Sequence, residues 1–560
     1  MNADGPSDRR RVFWLAVALL LLTVIVYWPA LRGGFIWDDA DHLTENQAVV
    51  APNGLHLIWS SLSVSRYYPL TLTTFWIQRR LWGLAPVAYH ATNLIVHAIN
   101  TILLFLLLRR LRVRGAWMAA ALWGVHPVNV ESVAWITELK NMQSGLFFLL
   151  CLLCYLRFEV RRELVWYIAA LVLFVAALLS KPSTVFLPAA LLLSVWWERG
   201  RWQRDDVLRI CPFLVAALLM SLVTILEQQR LVQSAGTTEW SLGMAERFVI
   251  AGRVPWFYAG KLLWPINASF AYPRWTIDIA NGLAWLPLVG ALVIGTACWR
   301  LRRLRWVRAC VFGLGYFIIA LLPVLGFLNI YYFRYSFVAD HFNYLASMGF
   351  IALVVAGFAT LIHHLPIKVV LSVVALAVLG GLARQRTQVF HDDETLWRDT
   401  LRKNPTAVLA LNNLGNIDRQ AGRLSDAASH FRRALVLEPD YPQTHNNLGV
   451  TLAQLGRRAE AEHEFQIALN LWPRYLDAHQ NLVRLLAEDG RDNDAIAQVR
   501  ILIELQPHNP SYYLQLGELL QRGGHYAQTI EAYQSGLRES PTNPDLAREL
   551  ARLRAQKPAD

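Results

Sequence analysis

Between residues 13 and 383 the chain repeats one pattern: an apolar run about long enough to cross a bilayer, followed by a connection rich in arginine or in aromatic and polar residues. A helix needs roughly 20 mainly apolar residues to span the hydrocarbon core, and inside that core every backbone polar group must be satisfied within the protein. A chain patterned this way is restricted to a bundle of membrane helices. Eleven runs read as crossings: 13–31, 91–108, 116–133, 145–158, 164–180, 183–197, 210–226, 282–299, 309–328, 343–361 and 367–383. Hydrophobic residues make up 55% of the 560, and the 22 tryptophans and 19 tyrosines suit wide membrane–water interfaces.

The net charge of +12 points to topology rather than to nucleic acid, because the arginines cluster in alternate connections. The clusters are Arg9–Arg11, Arg109–Arg114, Arg157–Arg162, Arg199–Arg209 and Arg300–Arg308. Cationic connections are retained on the cytoplasmic side, so the N-terminus is expected inside and everything after about residue 384 outside. Segment 247–264 is apolar but carries Arg247, Arg253 and Lys261. Were it to cross, residues 300–308 would move outside, so it is read as interfacial or re-entrant. The first run lacks a small-residue cleavage site and reads as a retained helix. The C-x-x-C of Cys151 and Cys154 lies inside FFLLCLLCYL without further ligands, and reads as core rather than as a redox or zinc site.

After Leu382 the composition turns polar and a 34-residue period begins. NNLG (412–415), NNLG (446–449), QNLV (480–483) and LQLG (514–517) recur in register, as do Pro405, Pro439, Pro473, Pro507 and Pro541. Trp397, Phe431, Phe465 and Tyr533 share another register, with Val483 and Thr529 as departures elsewhere in the pattern. This is the tetratricopeptide signature. The expected organisation is a membrane domain over 1–383 and an α-solenoid over 384–560, a half-repeat followed by about four repeats.

The chemistry-bearing residues sit in the outer connections. The long first loop, 32–90, holds FIWDDADHLTEN and SRYYPLTLTTFWIQRRLWG, the latter spaced as an amphipathic interfacial helix. Asp38 and Asp39 repel one another, so one is expected to be held partly protonated unless a cation or donors compensate. Such a carboxylate suits a general base toward an incoming hydroxyl, its neighbour orienting it or binding metal; a solvated turn with a capping aspartate is equally open. In HPVNVESVAWITELKN, His126 precedes a proline break, and Glu131 is either paired with a cation, a metal or Lys140, or part of an interfacial turn. Lys181 in LLSKPSTVF suits a lipid phosphate as a compact charge, or anchors a loop. Arg334, Asp340, His341 and Tyr344 form a further cluster in FRYSFVADHFNY that binds phosphate or sugar in one reading and caps a helix in the other.

The stretches FIWDDADHLTEN, YYPLTLTTFWIQRRLWGLAPVAYHATNLIVHAIN, HPVNVESVAWITELKNMQSGLFFLL, LLSKPSTVFLPA, YAGKLLWPINASFAYP, VADHFNYLASMGF and DDETLWRDTLRKNP occur in an order that resembles a known family. The membrane part looks like a GT-C-type, polyprenyl-phosphate-sugar-dependent glycosyltransferase. With the repeats, the chain resembles the transmembrane-and-TPR-containing protein O-mannosyltransferases and their bacterial relatives. The resemblance implies an all-α polytopic bundle followed by a TPR solenoid, and inverting transfer of a sugar, mannose in that family, to Ser or Thr of an acceptor polypeptide held by the repeats. It places the base at Asp38 or Asp39, brings His126 and Glu131 to the same cavity, and sets Lys181 and the Asp340–His341 pair at the donor phosphate. It also implies a bacterial inner membrane with the repeats on the periplasmic side. A divalent metal stays open. Departures are Leu139 where many relatives carry arginine, His341 where many carry arginine, and Asn141 in place of a frequent aspartate. Two rival readings remain: a non-enzymatic TPR scaffold for an envelope or export complex, and a GT-C enzyme acting on lipid or glycan.

Overall fold

Every regular element among the described residues is helical. The computed structural model describes residues 6–60, 68–234 and 242–556, and the chain divides into two units, Met1–Pro405 and Thr406–Asp560.

In the first unit, seven helices among the described residues are long and apolar enough to cross a bilayer: Ser7–Arg32, Pro86–Arg110, Ile136–Arg161, Arg204–Gln229, Gly282–Arg300, Arg305–Val324 and Leu365–Phe390. Leu164–Ser180 and Ser347–Leu361 are apolar and shorter. The chain is a multi-pass membrane protein. Two expected crossings are broken. Run 116–133 is helical only over Ala116–Gly124, because Pro127 cannot continue the ladder and a 3₁₀ turn, Pro127–Asn129, follows. Run 183–197 begins as the 3₁₀ turn Pro182–Phe186 before helix Leu187–Arg199.

Irregular backbone at membrane depth survives only where protein satisfies it, and here side chains do so. Asn129 Nδ2 donates to Trp123 O at 2.7 Å, and His97 Nε2–H donates to Gly124 O at 2.9 Å. Asn93 Nδ2 reaches Trp135 O at 3.0 Å and Ile136 O at 3.3 Å. The broken stretch is thereby fixed to helix Pro86–Arg110, and with it the residues up to Glu138. Segment 247–264 forms most of a continuous helix, Met244–Leu263, with Pro255 inside it. Of the expected interfacial helix, residues 65–67 lie outside the described residues, and the rest is helix Pro69–Trp82, with Thr71, Leu72, Phe75 and Gln78 buried and Ile77 and Leu81 exposed.

The arginine-rich connections gather at one end of this unit. Arg109 pairs with Asp8 and Arg110 with Glu198, each at 2.5 Å, while Arg199 pairs with Asp206 at 2.8 Å and with Glu159.

Among its described residues the second unit is four helix pairs from Val408–Gln420 to Tyr526–Glu539, followed by Pro544–Gln556. The recurring glycine allows the two helices of a pair to touch: a Cβ at Gly415 would lie 2.6 Å from the Phe431 ring, and one at Gly449 2.7 Å from Phe465. The third repeat departs at both positions together, with Val483 and Val499 both fully buried in the same core. Thr529, at an alanine position, is buried with its hydroxyl donating to His525 O at 3.1 Å.

Candidate active site

The connection after the first helix reverses at Trp37, whose φ of 45° lies in the left-handed region, a rare conformation for a bulky side chain. Two contacts hold it there. The Trp37 N–H donates to Asp393 Oδ1 at 2.8 Å, and the indole packs against Trp135, Phe270 and Trp397 with ring centroids 5.1–5.9 Å apart. The reversal sends the two aspartates into different surroundings.

Asp39 is fully buried and accepts three hydrogen bonds: from Ile36 N and Thr137 N, each at 2.9 Å, and from the Thr137 hydroxyl. It fastens the loop to the broken stretch. Burial, with a smaller push from Asp38, raises its carboxyl to about 7 against the opposing pull of those donors. The folded protein therefore holds this proton more tightly than the unfolded chain does, so the stability from this group is complete below about pH 4 and disappears as pH rises through 7. Melting of the detergent-solubilised protein across pH 4–8 is expected to show wild type losing stability through that window, with a flatter profile in Asp39→Asn.

Asp38, by contrast, lines a cavity of about 700 Å³. Its backbone carbonyl accepts from His42 Nδ1–H at 3.0 Å, and its Oδ2 lies 3.5 Å from the same nitrogen. The wall opposite combines several cavity residues: Glu138, Lys140, Asn141, Lys181 and His341. Glu138, 1% exposed at its side chain, joins both lysines, with Lys140 Nζ at 2.9 Å and Lys181 Nζ at 3.4 Å. Asn141 bridges them, donating to Glu138 and accepting from Lys181 Nζ at 2.6 Å. The Lys140 ammonium also lies 5.2 Å from the Trp135 ring centre and 5.8 Å from that of Tyr68. The cavity lining as a whole sets Lys140, Lys181 and Arg247 against Asp38, Glu138 and Glu227, with the two lysine ammonium groups gathered on Glu138. Beyond this wall the lining combines an apolar stretch, Val324, Phe327 and Leu328, with the polar residues Glu227, Gln228, Arg247 and Asn329.

The other expected site residues hold the frame or flank it. Glu131 is buried and pairs with neither Lys140 nor Lys181; His341 Nδ1–H donates to it at 2.5 Å. Burial depresses His341 to about 3, so it is a neutral imidazole at pH 7. His126 lies outside the cavity wall, its Nε2–H donating to Leu262 O at 3.1 Å and its Nδ1 accepting from Val128 N. Asp340 accepts from Tyr272 OH at 2.8 Å. Tyr344 OH bonds His97 Nδ1 at 2.9 Å and accepts from Asn100 Nδ2 at 3.1 Å. Arg334 is buried in the turn Tyr331–Arg334, whose two tyrosines line the cavity. Among the described residues no three His, Cys, Asp or Glu side chains are grouped to hold a metal ion.

Sequence reasoning passed over Glu138 and Asp393. The signal for Glu138 was present in TELK, an acid two residues from a lysine at the start of a long apolar run, but it reads equally as a helix cap. Asp393 lies 356 residues from the backbone it holds, and no spacing rule reaches that far.

Two family models match the second unit: TPR repeat over residues 415–456 and tetratricopeptide repeat over residues 446–510. The chain is 25% identical over 460 residues to Protein O-mannosyl-transferase F38B6.6 of Caenorhabditis elegans, covering 78% of this chain and 65% of that protein. It is 24% identical over 512 residues to Protein O-mannosyl-transferase TMTC4 of Homo sapiens, covering 76% and 66%. A shorter match, 32% over 148 residues, is to Protein O-mannosyl-transferase tmtc2 of Xenopus laevis, covering 24% and 18%. The matched regions amount to two thirds of these relatives' length or less. Among solved structures, the crystal structure of MamA is 20% identical, with a TM-score of 0.25, covering 26% of this chain and 86% of that one.

Proposed function

We propose that this protein is an integral membrane glycosyltransferase that moves a sugar, mannose, from a polyprenyl-phosphate donor to Ser or Thr of an acceptor polypeptide. One observation carries the reading: a single cavity joins the Asp38 carboxylate, the Lys140–Glu138–Lys181 cluster and an apolar wall. A lipid-linked sugar phosphate needs those three surfaces together. The relatives named protein O-mannosyl-transferases support the same assignment.

In this scheme Asp38 accepts the hydroxyl proton as the acceptor oxygen bonds to the anomeric carbon. The bond from that carbon to the phosphate oxygen breaks, and its electron pair leaves on the phosphate. Lys140 and Lys181 bind the phosphate, whose charge grows as it departs, so they stabilise the transition state more than the bound donor. Glu138 and Asn141 hold the two ammonium groups in place beforehand, which removes reorganisation from the reacting step. Glu131 orients His341 in the wall. The repeats present the acceptor polypeptide, raising its effective concentration at the membrane site.

The gathering of arginines at the end away from the cavity supports an N-terminus in the cytoplasm and a cavity opening to the periplasmic face of a bacterial inner membrane.

The deciding experiment is transfer by purified protein in detergent from polyprenyl-phosphate mannose to an acceptor protein, beside polyprenyl-phosphate glucose and a nucleotide sugar. Transfer to Ser or Thr from the lipid-linked mannose is expected. Transfer only to lipid or glycan would replace the acceptor assignment, and no transfer from any donor would favour a scaffold. Lys181 supplies a finer test. Burial lowers its ammonium to about 8, so donor KM is expected to rise as pH passes 8. Lys181→Arg, which keeps its charge there, is expected to lose that alkaline limb.

A further inference from the structure

We propose that a second slot, at the arginine-rich end of the membrane unit, binds one anionic phospholipid, with an acyl chain between the helices and the phosphate on Arg112, Arg114 and Arg305. The slot has a volume of about 580 Å³ and runs between helices Pro86–Arg110, Leu139–Arg161, Arg305–Leu321 and Ser347–Leu361, with Leu108, Leu152, Phe312, Leu353 and Gly357 in its wall. It is separate from the Asp38 cavity. The two share no lining residue; on helix Arg305–Leu321 the slot runs from Arg305 to Tyr316 and the cavity takes up at Ala320. About 6 Å of helix therefore divides their near ends, while the arginine mouth lies about 22 Å from the cavity at 1.5 Å per residue.

Two observations identify the occupant. The first is dimension. From Arg305 to Tyr316 the slot follows about 16 Å of helix, and from Met348 to Leu361 about 20 Å. Half of a hydrocarbon core of about 30 Å is about 15 Å. The slot is therefore as deep as one leaflet, and its antiparallel walls place Arg305 beside Thr360 and Leu361 at the mouth and Tyr316 beside Met348 at the bottom.

The second is charge. Arg109 and Arg110 are matched by Asp8 and Glu198. Among the described residues the three mouth arginines pair with no carboxylate, although all three are exposed; Arg114 contacts Thr360 Oγ1 at 3.5 Å. The positive-φ backbone of Arg112 ends helix Pro86–Arg110 and turns the chain across the mouth. Trp306, 67% exposed, stands beside them, at the depth where tryptophan sits among headgroups. Basic pockets between membrane helices bind anionic headgroups in this way, whereas a second copy's apolar helix would leave the three guanidinium groups unmatched.

The test uses the full-length protein, native mass spectrometry, and dioleoylphosphatidylglycerol and dioleoylphosphatidylcholine as probes. Wild type is expected to retain one phosphatidylglycerol at least ten-fold more strongly than phosphatidylcholine. The triple variant Arg112→Gln, Arg114→Gln, Arg305→Gln is expected to lose that preference. Gly357→Phe attacks the slot without touching charge: a Cβ there meets nothing within 4 Å, so the ring fills the slot, and retention of both lipids is expected to fall. Equal retention of the two lipids by wild type overturns the proposal, as does wild-type retention of phosphatidylglycerol by either variant. A dimer that Gly357→Phe dissociates would assign the slot to a second copy of the chain instead.

Discussion

Asp38→Asn is expected to lower kcat for transfer by 10²–10⁴-fold, about the contribution of a positioned general base, with donor KM and thermal melting little changed. The amide keeps the size of the carboxylate and cannot take a proton. The Asp38 side chain borders the cavity, while the loop's backbone is tied to the broken stretch through Asp39, so the loss at Asp38 is a loss of chemistry. Its neighbour gives the control. Asp39 accepts from Ile36, Thr137 and the Thr137 hydroxyl, and an amide in its place presents an N–H where an acceptor is needed. Leaving a buried donor unmatched costs about 1–3 kcal/mol, so Asp39→Asn is expected to lower the melting temperature, and activity with it. Two adjacent carboxylates are thus separated by which property falls. Full activity in Asp38→Asn would move the base elsewhere, with the His341–Glu131 pair next in the same wall.

Glu138→Gln is expected to have the largest effect on stability. It removes the carboxylate shared by Lys140 and Lys181 while both ammonium groups stay buried, with side chains 7% and 13% exposed. Breaking a buried pair from one side costs about 3–5 kcal/mol, to be read as an earlier melt of the purified protein and faster loss at growth temperature. The double variant Glu138→Gln, Lys181→Met is expected to recover part of this, since it removes one stranded charge along with its partner. If the single variant melts as wild type does, the cluster is open to water and the lysines need no internal counter-charge. Adding lipid-linked donor is expected to stabilise the single variant more than wild type, because the phosphate replaces the missing anion.

The repeats were legible because a solenoid is nearly one-dimensional: each unit meets only its neighbours, so a contact such as Gly415 with Phe431 recurs at a fixed offset in the chain. The membrane helices were legible for a related reason, since lipid demands long uninterrupted runs. Where a run did break, at Pro127, the proline announced it, but the asparagine and histidine side chains that make the break tolerable come from other helices.

The candidate site divides along the same line. Amino-acid pattern alone determined the class of fold, the repeat array, and the stretches from which Asp38, Lys140, Lys181 and His341 come. Tertiary structure decided which of two adjacent aspartates faces the cavity, because that depends on the left-handed turn at Trp37 and on Asp393 holding it from 356 residues away. It also decided that Glu131 meets His341 and that Glu138 joins the lysines. Charge pairing is set by distance in space and by the exclusion of water, and in a bundle whose helices meet far from their sequence neighbours, neither is written in local order.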